Sequence, residues 1–278
     1  MNFLALIIAV VLERFSGAAA YLQEDGWYQR WQSTMGGKVT SGLLGAALTV
    51  AIPAIVAQFI LLAATPILFG LLWIALAVIL LLYSFGRVDL AGLQERYRGH
   101  CRRDDLQGAW LEVGNRLGWD EDAPDEEQTP EQVHARIQRA FLYASLGRWF
   151  GVLFWFLVLG PAGALAYRLC QLLPAGEDRD TLLFYVDWLP ARALAATFSL
   201  VGNLTESSDE FWLALSNSDM PMTEILYSVA MAATGEDKKA GEEFTGARAA
   251  AQNEVLANLQ WRAGVCWIVV ISVLVIID

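Results

Sequence analysis

From position 41 to position 83 the chain carries no formal charge, and Gln58 is its one amide side chain. A helix rises about 1.5 Å per residue and the hydrocarbon core of a bilayer is about 30 Å thick. About 20 residues therefore make one crossing, and this run is long enough for two. Proline lacks a backbone N–H and disfavours helix in the residue before it. The break at Thr65–Pro66 thus predicts two antiparallel spans, 43–63 and 66–83, joined by a minimal turn. Two more apolar runs occupy 149–173 and 261–277. Gly160, Pro161 and Gly163 interrupt the first and predict a kink near mid-depth. The run 3–12 is only about half a crossing long and meets Glu13 and Arg14 at once. It has no basic segment ahead of it, so it reads as a membrane-associated helix continuing to 22 rather than a cleaved signal peptide.

Between these runs the pattern becomes amphipathic. Leu90, Leu93, Tyr97 and Cys101, and then Leu106, Trp110, Val113 and Leu117, recur every three or four residues, which predicts two short helices. Asp104 or Asp105 can cap the second and Gly118 can close it. Thr129-Pro130-Glu131-Gln132 combines a capping threonine, proline at the first helical position and glutamine at the capping-box position, so a helix starts there. The stretches 211–215 and 222–231 predict short amphipathic helices, the latter ended by Gly235, and 247–260 predicts a helix leading into the final span.

The segment 181–203 is long and apolar enough to cross, yet it carries Asp187 and Arg192 around Trp188-Leu189-Pro190. Either it lies on the surface, or it crosses or is buried in the bundle; the second fits the charge bias of the flanking loops better. Buried, Asp187 and Arg192 become intramembrane ionisable groups, either a functional couple or a structural pair locking a proline-broken helix. Glu13 and Arg14 pose the same choice between function and anchoring at a boundary.

Composition agrees with the pattern. Of 278 residues 56% are apolar and mean hydropathy is +0.40, as expected of a chain that crosses the membrane several times. Lys38 before the hairpin and Arg87 after it put both ends on the cytoplasmic side. A net charge of −11 excludes a nucleic-acid reader, which needs a basic face. The cysteines Cys101, Cys170 and Cys266 have neither a disulfide framework nor zinc spacing and read as unpaired thiols. The acidic run Asp120–Glu127 reads as a solvated linker, with a magnesium site the weaker alternative. Glu131 and His134 have the spacing of one di-iron motif, but such sites need the motif twice. Phosphate loops, dinucleotide fingerprints, nucleophile elbows and zinc-protease motifs are absent, and neither a metal nor a cofactor is expected.

The stretch 151–168, Gly-Val-Leu-Phe-Trp-Phe-Leu-Val-Leu-Gly-Pro-Ala-Gly-Ala-Leu-Ala-Tyr-Arg, followed by Val-Asp-Trp-Leu-Pro-Ala-Arg at 186–192, resembles the core of the CobD/CbiB superfamily of membrane proteins. Its founding members are adenosylcobinamide-phosphate synthases. Within that superfamily the N-terminal Phe-Leu-Ala-Leu-Ile-Ile-Ala-Val-Val-Leu-Glu-Arg at 3–14, the length and the terminal span most resemble the AmpE family, named for modulating β-lactamase induction in Gram-negative inner membranes. The polar elements that could hold magnesium and phosphate in the synthases are replaced here by Gly118-Trp-Asp-Glu-Asp, by 143–150 and by 169–172.

The resemblance implies a non-catalytic modulator linked to cell-wall status, with a diverged enzyme or binder of an amphiphilic ligand as the alternative. The expected fold is an all-α polytopic bundle with short cytoplasmic amphipathic helices. Its segments are 1–22 (N-terminal helix), 41–85 (hairpin), 86–147 (cytoplasmic helices), 148–203 (kinked span and proline-containing segment), 204–260 (polar helices) and 261–278 (terminal span). Expected partners are the lipid bilayer and other membrane or cell-wall-recycling proteins. Candidate polar or ligand-binding residues are Glu13, Arg14, Arg148, Tyr167, Arg168, Asp187, Trp188 and Arg192.

Overall fold

A computed structural model describes residues 2–16, 24–35, 42–118, 128–239 and 243–277. Among them every regular element is helical. In order these are α1 (Asn2–Ser16), α2 (Gly26–Met35), α3 (Leu43–Ala64), α4 (Leu71–Ser84), α5 (Leu90–Cys101), α6 (Leu106–Leu117), α7 (Pro130–Ser145), α8 (Gly151–Gln171), α9 (Glu177–Val201), α10 (Leu204–Ser216), α11 (Met222–Thr234) and α12 (Gly246–Ile277). The acidic run 120–127 and the proposed extension of the first helix to 22 lie outside the described residues. The chain divides into two compact units.

The first unit comprises Met1–Arg87, Gly147–Trp188 and Ile271–Asp278. α3 and α4 form the expected hairpin, but the turn is longer than the minimal one the proline suggested. Ile67–Gly70 is a 3-10 turn, and Gly70 stands at φ 84°, where a side chain would be strained. This leaves α4 with 14 residues. With the 3-10 turn its limb still reaches about 29 Å, one hydrocarbon thickness. α1 packs on α4 through buried Ala5, Ala9 and Ala77. Small residues allow the close approach on which helices in lipid depend, because burial from water no longer drives their association. α3 turns Leu44, Ile55, Val56, Phe59 and Ile60 outward, the apolar exterior of a membrane helix.

The apolar run 149–173 is not a kinked span. A π-turn, Leu146–Phe150, leads into α8, and at Gly160 (φ 73°, ψ −163°) the helix reverses. Positions equidistant from 159 meet. A Cβ on Gly163 would lie 2.5 Å from the Trp155 carbonyl, and one on Gly151 would lie 2.3 Å from the Tyr167 ring. The Gln171 side chain donates to the Gly147 carbonyl at 2.8 Å. In a straight helix residues 16 apart would be about 24 Å apart. The two limbs, 151–159 and 161–171, are each about half a crossing long, so α8 is a re-entrant helical hairpin whose ends return to one side. By length and composition Pro130–Gln171 is one of three helical stretches apolar enough to cross; the reversal at Gly160 withdraws it from that role.

Two prolines stand inside helices that continue through them, Pro53 in α3 and Pro190 in α9. Each leaves the carbonyl four residues earlier without its amide donor. In both places an indole N–H supplies the bond: Trp31 Nε1 donates to the Thr49 carbonyl at 2.9 Å, and Trp155 Nε1 to the Val186 carbonyl at 3.2 Å. The proline-broken helix expected at 188–190 is therefore one unbroken helix of 25 residues.

The second unit comprises Val88–Leu146 and Leu189–Val270. The two predicted periodicities are its core: Leu93, Tyr97, Cys101, Trp110 and Val113 pack with Val133, Ile137, Phe141, Ala249 and Ala250. The caps are those the sequence proposes. Asp105 accepts from the Gly108 amide at 2.9 Å, Thr129 and Gln132 form the capping box, and Gly118 and Gly235 end their helices at positive φ. Residues 191–199 of α9 are largely buried, and Trp267 Nε1 on α12 donates to Thr197 Oγ1 at 2.9 Å. The C-terminal half of the segment is thus packed inside the second unit.

Candidate functional site

In the first unit, charged side chains collect where the re-entrant hairpin and the α3–α4 hairpin end together. The Gly86 amide donates to the Arg148 carbonyl at 3.2 Å, and a Cβ on Gly86 would come within 2.9 Å of Arg148. Arg148 Nη2 donates to Glu13 at 2.9 Å, with both side chains mostly buried. Glu13 thus answers a distant arginine; the side chain of its neighbour Arg14 lies outside the described residues. Arg87 pairs with Asp25, which also accepts from the Tyr83 hydroxyl at 3.0 Å. On the second limb of the hairpin Arg168 Nη1 donates to Gln171 Oε1 at 2.9 Å. Two guanidinium nitrogens at this mouth, Arg148 Nη1 and Arg168 Nε, are buried without an acceptor among the described residues. The same unit carries an open cleft of about 450 Å³ lined by Gln32, Thr49, Leu173, Glu177 and Arg179 among others.

Deeper in this unit Asp187 is buried and accepts from the Tyr167 hydroxyl at 2.7 Å. Trp188 follows it, partly buried. Arg192 belongs to the second unit, where its Nη2 donates to the Asn217 carbonyl at 2.9 Å and its Nη1 lies 3.8 Å from Met222 Sδ.

The second unit holds a buried polar ladder that the sequence did not single out. The Tyr97 hydroxyl bonds His134 Nδ1, His134 Nε2 bonds Gln252 Oε1, and Gln252 Nε2 lies 3.5 Å from Met231 Sδ. Beside it Arg98 donates to Asn253 at 3.0 Å, Asn253 to Gln138 at 3.0 Å, and Gln94 to Gln260 at 3.1 Å. An amide oxygen opposite Nε2 requires the Nε2–H tautomer, so Tyr97 donates to Nδ1. His134 lies well ahead of the apolar limbs of α8, and burial holds its pKa down at about 4. The same burial pushes the Tyr97 hydroxyl well above its usual value. With both ring nitrogens engaged and Glu131 exposed, His134 is not half of a metal motif. Among the described residues there is no group of three or more His, Cys, Asp or Glu able to hold a metal ion. The signal for the ladder was His134 and Gln138 falling on the apolar face of α7 with Val133, Ile137 and Phe141.

A model of the family described as "Regulatory signalling modulator protein AmpE" matches residues 1–277. The chain belongs to the AmpE family. AmpE-family membership and the apolar helices make this a membrane protein of a regulatory signalling family. The superfamily relation is visible too: the cobalamin biosynthesis protein CobD of Chromobacterium violaceum is 32% identical over 201 residues, 66% of this chain and 58% of that protein. The chain thus matches little more than half the length of that relative. No solved structure matches the AmpE-family chain.

Proposed function

We propose that this AmpE-family chain is a non-catalytic modulator in the inner membrane of a Gram-negative bacterium that couples cell-wall status to β-lactamase induction. The observation that carries the proposal is the family match across residues 1–277, which includes both structural units. The geometry supports it in kind. In the first unit Arg87 and Arg148 are tied to Asp25 and Glu13 at the mouth of the re-entrant hairpin, and in the second unit buried polar side chains are joined in a hydrogen-bonded ladder, arrangements suited to holding a conformation. The test is induction in a host strain deleted for this chain, with and without the chain restored, across a β-lactam dose series. A changed induction curve that restoration reverses is the expected result; identical curves sink the proposal.

The CobD relative favours a second reading, a binder of, or diverged enzyme for, an amphiphilic ligand. Its distinguishing observation is a ligand that copurifies with the chain.

A further inference from the structure

Arg168 is the cation at the hairpin mouth that has no carboxylate at ion-pairing distance among the described residues. Arg87 has Asp25 and Arg148 has Glu13, whereas Arg168 is held by the neutral amide of Gln171. Asp25 is near enough to act on Arg168 electrostatically, but it is already engaged by Arg87 and the Tyr83 hydroxyl. Taking a charge out of water without a partner is costly, and a buried donor left unmade adds to the cost. Two such donors occur here, Arg168 Nε and Arg148 Nη1. Both stand at the same end of the hairpin, where Gln171, which holds Arg168, bonds the Gly147 carbonyl next to Arg148.

We propose that this mouth is an oxyanion site in which Arg168 and Arg148 hold the phosphate headgroup of an anionic lipid. Guanidinium donors match phosphate oxygens in geometry and charge, and such charge-assisted bonds are among the strong ones. A lipid rather than a soluble anion is the fitting source, because the surfaces beside the mouth are built for acyl chains. Leu43, Leu44 and Leu48, at the end of α3 on the mouth side, are exposed. The site deepens the signalling reading by naming its ligand class, and rests on that reading only for its purpose.

The test uses the full chain in nanodiscs of phosphatidylcholine alone, phosphatidylcholine with phosphatidylglycerol, and phosphatidylcholine with inorganic phosphate in the buffer. Thermal melts are followed by tryptophan fluorescence, and retained lipid by native mass spectrometry. Phosphatidylglycerol is expected to raise Tm and to be retained through delipidation, and inorganic phosphate is expected to do neither. Arg168→Gln should cut retention about tenfold or more, the factor lost with one charge-assisted bond. Arg30→Gln, at an exposed arginine on α2, should keep it. The joint change Arg148→Gln with Glu13→Gln removes a donor without stranding a carboxylate and should weaken retention as well; it and the wild-type lipid comparison decide the matter if Arg168→Gln does not fold. No response to phosphatidylglycerol, an equal response to inorganic phosphate, or equal losses in the Arg30 and Arg168 variants would overturn the site. Induction that ignores deletion of the chain defeats the signalling reading alone and leaves the lipid measurement standing.

Discussion

At the scale of single residues, burial decides chemistry that the residue type leaves open. His134 ordinarily would titrate near 6.5, and in the folded chain it is held at about 4. Between those values the unfolded chain binds a proton that the folded chain refuses. Stability therefore falls as pH drops from about 6.5 toward 4, at a limiting slope of about 1.4 kcal/mol per pH unit, and above about 7 this group has no effect. Melts in detergent across that window should show the slope in wild type and a shallower one in His134→Gln; identical slopes would remove His134 from the account. Gly160 presents a backbone case. At φ 73° and ψ −163° a Cβ is strained although nothing crowds it, so Gly160→Ala should cost roughly 1–3 kcal/mol by thermal unfolding, purely through the backbone. Cys101 shows the limit of reading a residue from its neighbours. It sits among arginines in a polar segment, yet it is fully buried in the core of the second unit and is no surface thiol.

At the scale of elements, the helices were legible and their departures from straightness were not. Charge-free length found α3 and α4, and three- and four-residue spacing found α5 and α6, because those signals are written in consecutive residues. Gly160-Pro161 announced an interruption, but a kink and a reversal use the same residues, and only contacts between the two limbs separate them. Thiols introduced as Arg30→Cys and Ala175→Cys should therefore label from the same face of sealed vesicles; labelling from opposite faces would restore a full crossing. The continuity of α3 and α9 through proline has a comparable cause at a distance. If Trp31 replaces the donor that Pro53 lacks, Trp31→Phe should strand the Thr49 carbonyl and cost roughly 1–3 kcal/mol. Trp31→Phe combined with Pro53→Ala should recover part of that loss, since an amide N–H returns to the helix ladder. Strictly additive single and double variants in a double-mutant cycle would contradict the substitution of indole for amide.

At the scale of the whole molecule, family membership and chemistry point in different directions within one superfamily. The chain spans 58% of the CobD relative and matches the AmpE family throughout. Purified chain given cobyric acid, aminopropanol phosphate, ATP and magnesium is expected to form no cobinamide phosphate above a control without protein; turnover would move the assignment to the enzymatic branch. Each unit also has its own manner of holding together. The first relies on close-packed small residues, charge pairs and indole-capped carbonyls, as suits a solvent that offers no hydrophobic drive. The second buries an aromatic core around Trp110, Tyr97 and Phe141.

The sequence by itself determined that this is an all-helical membrane chain, where most helices begin and end, and that Glu13, Arg148, Tyr167, Arg168 and Asp187 are polar groups in apolar surroundings. These are properties of hydropathy, periodicity and capping, which act over a few residues and need no partner. Tertiary structure decided who answers whom. Glu13 meets Arg148, Tyr167 meets Asp187, Arg192 meets the Asn217 carbonyl, and His134 meets Tyr97 and Gln252. Pairings of this kind span up to 166 positions of chain. A lone sequence shows that a buried charge or amide must be satisfied, because leaving it bare is expensive; which of several distant groups does so depends on where the folded helices carry them.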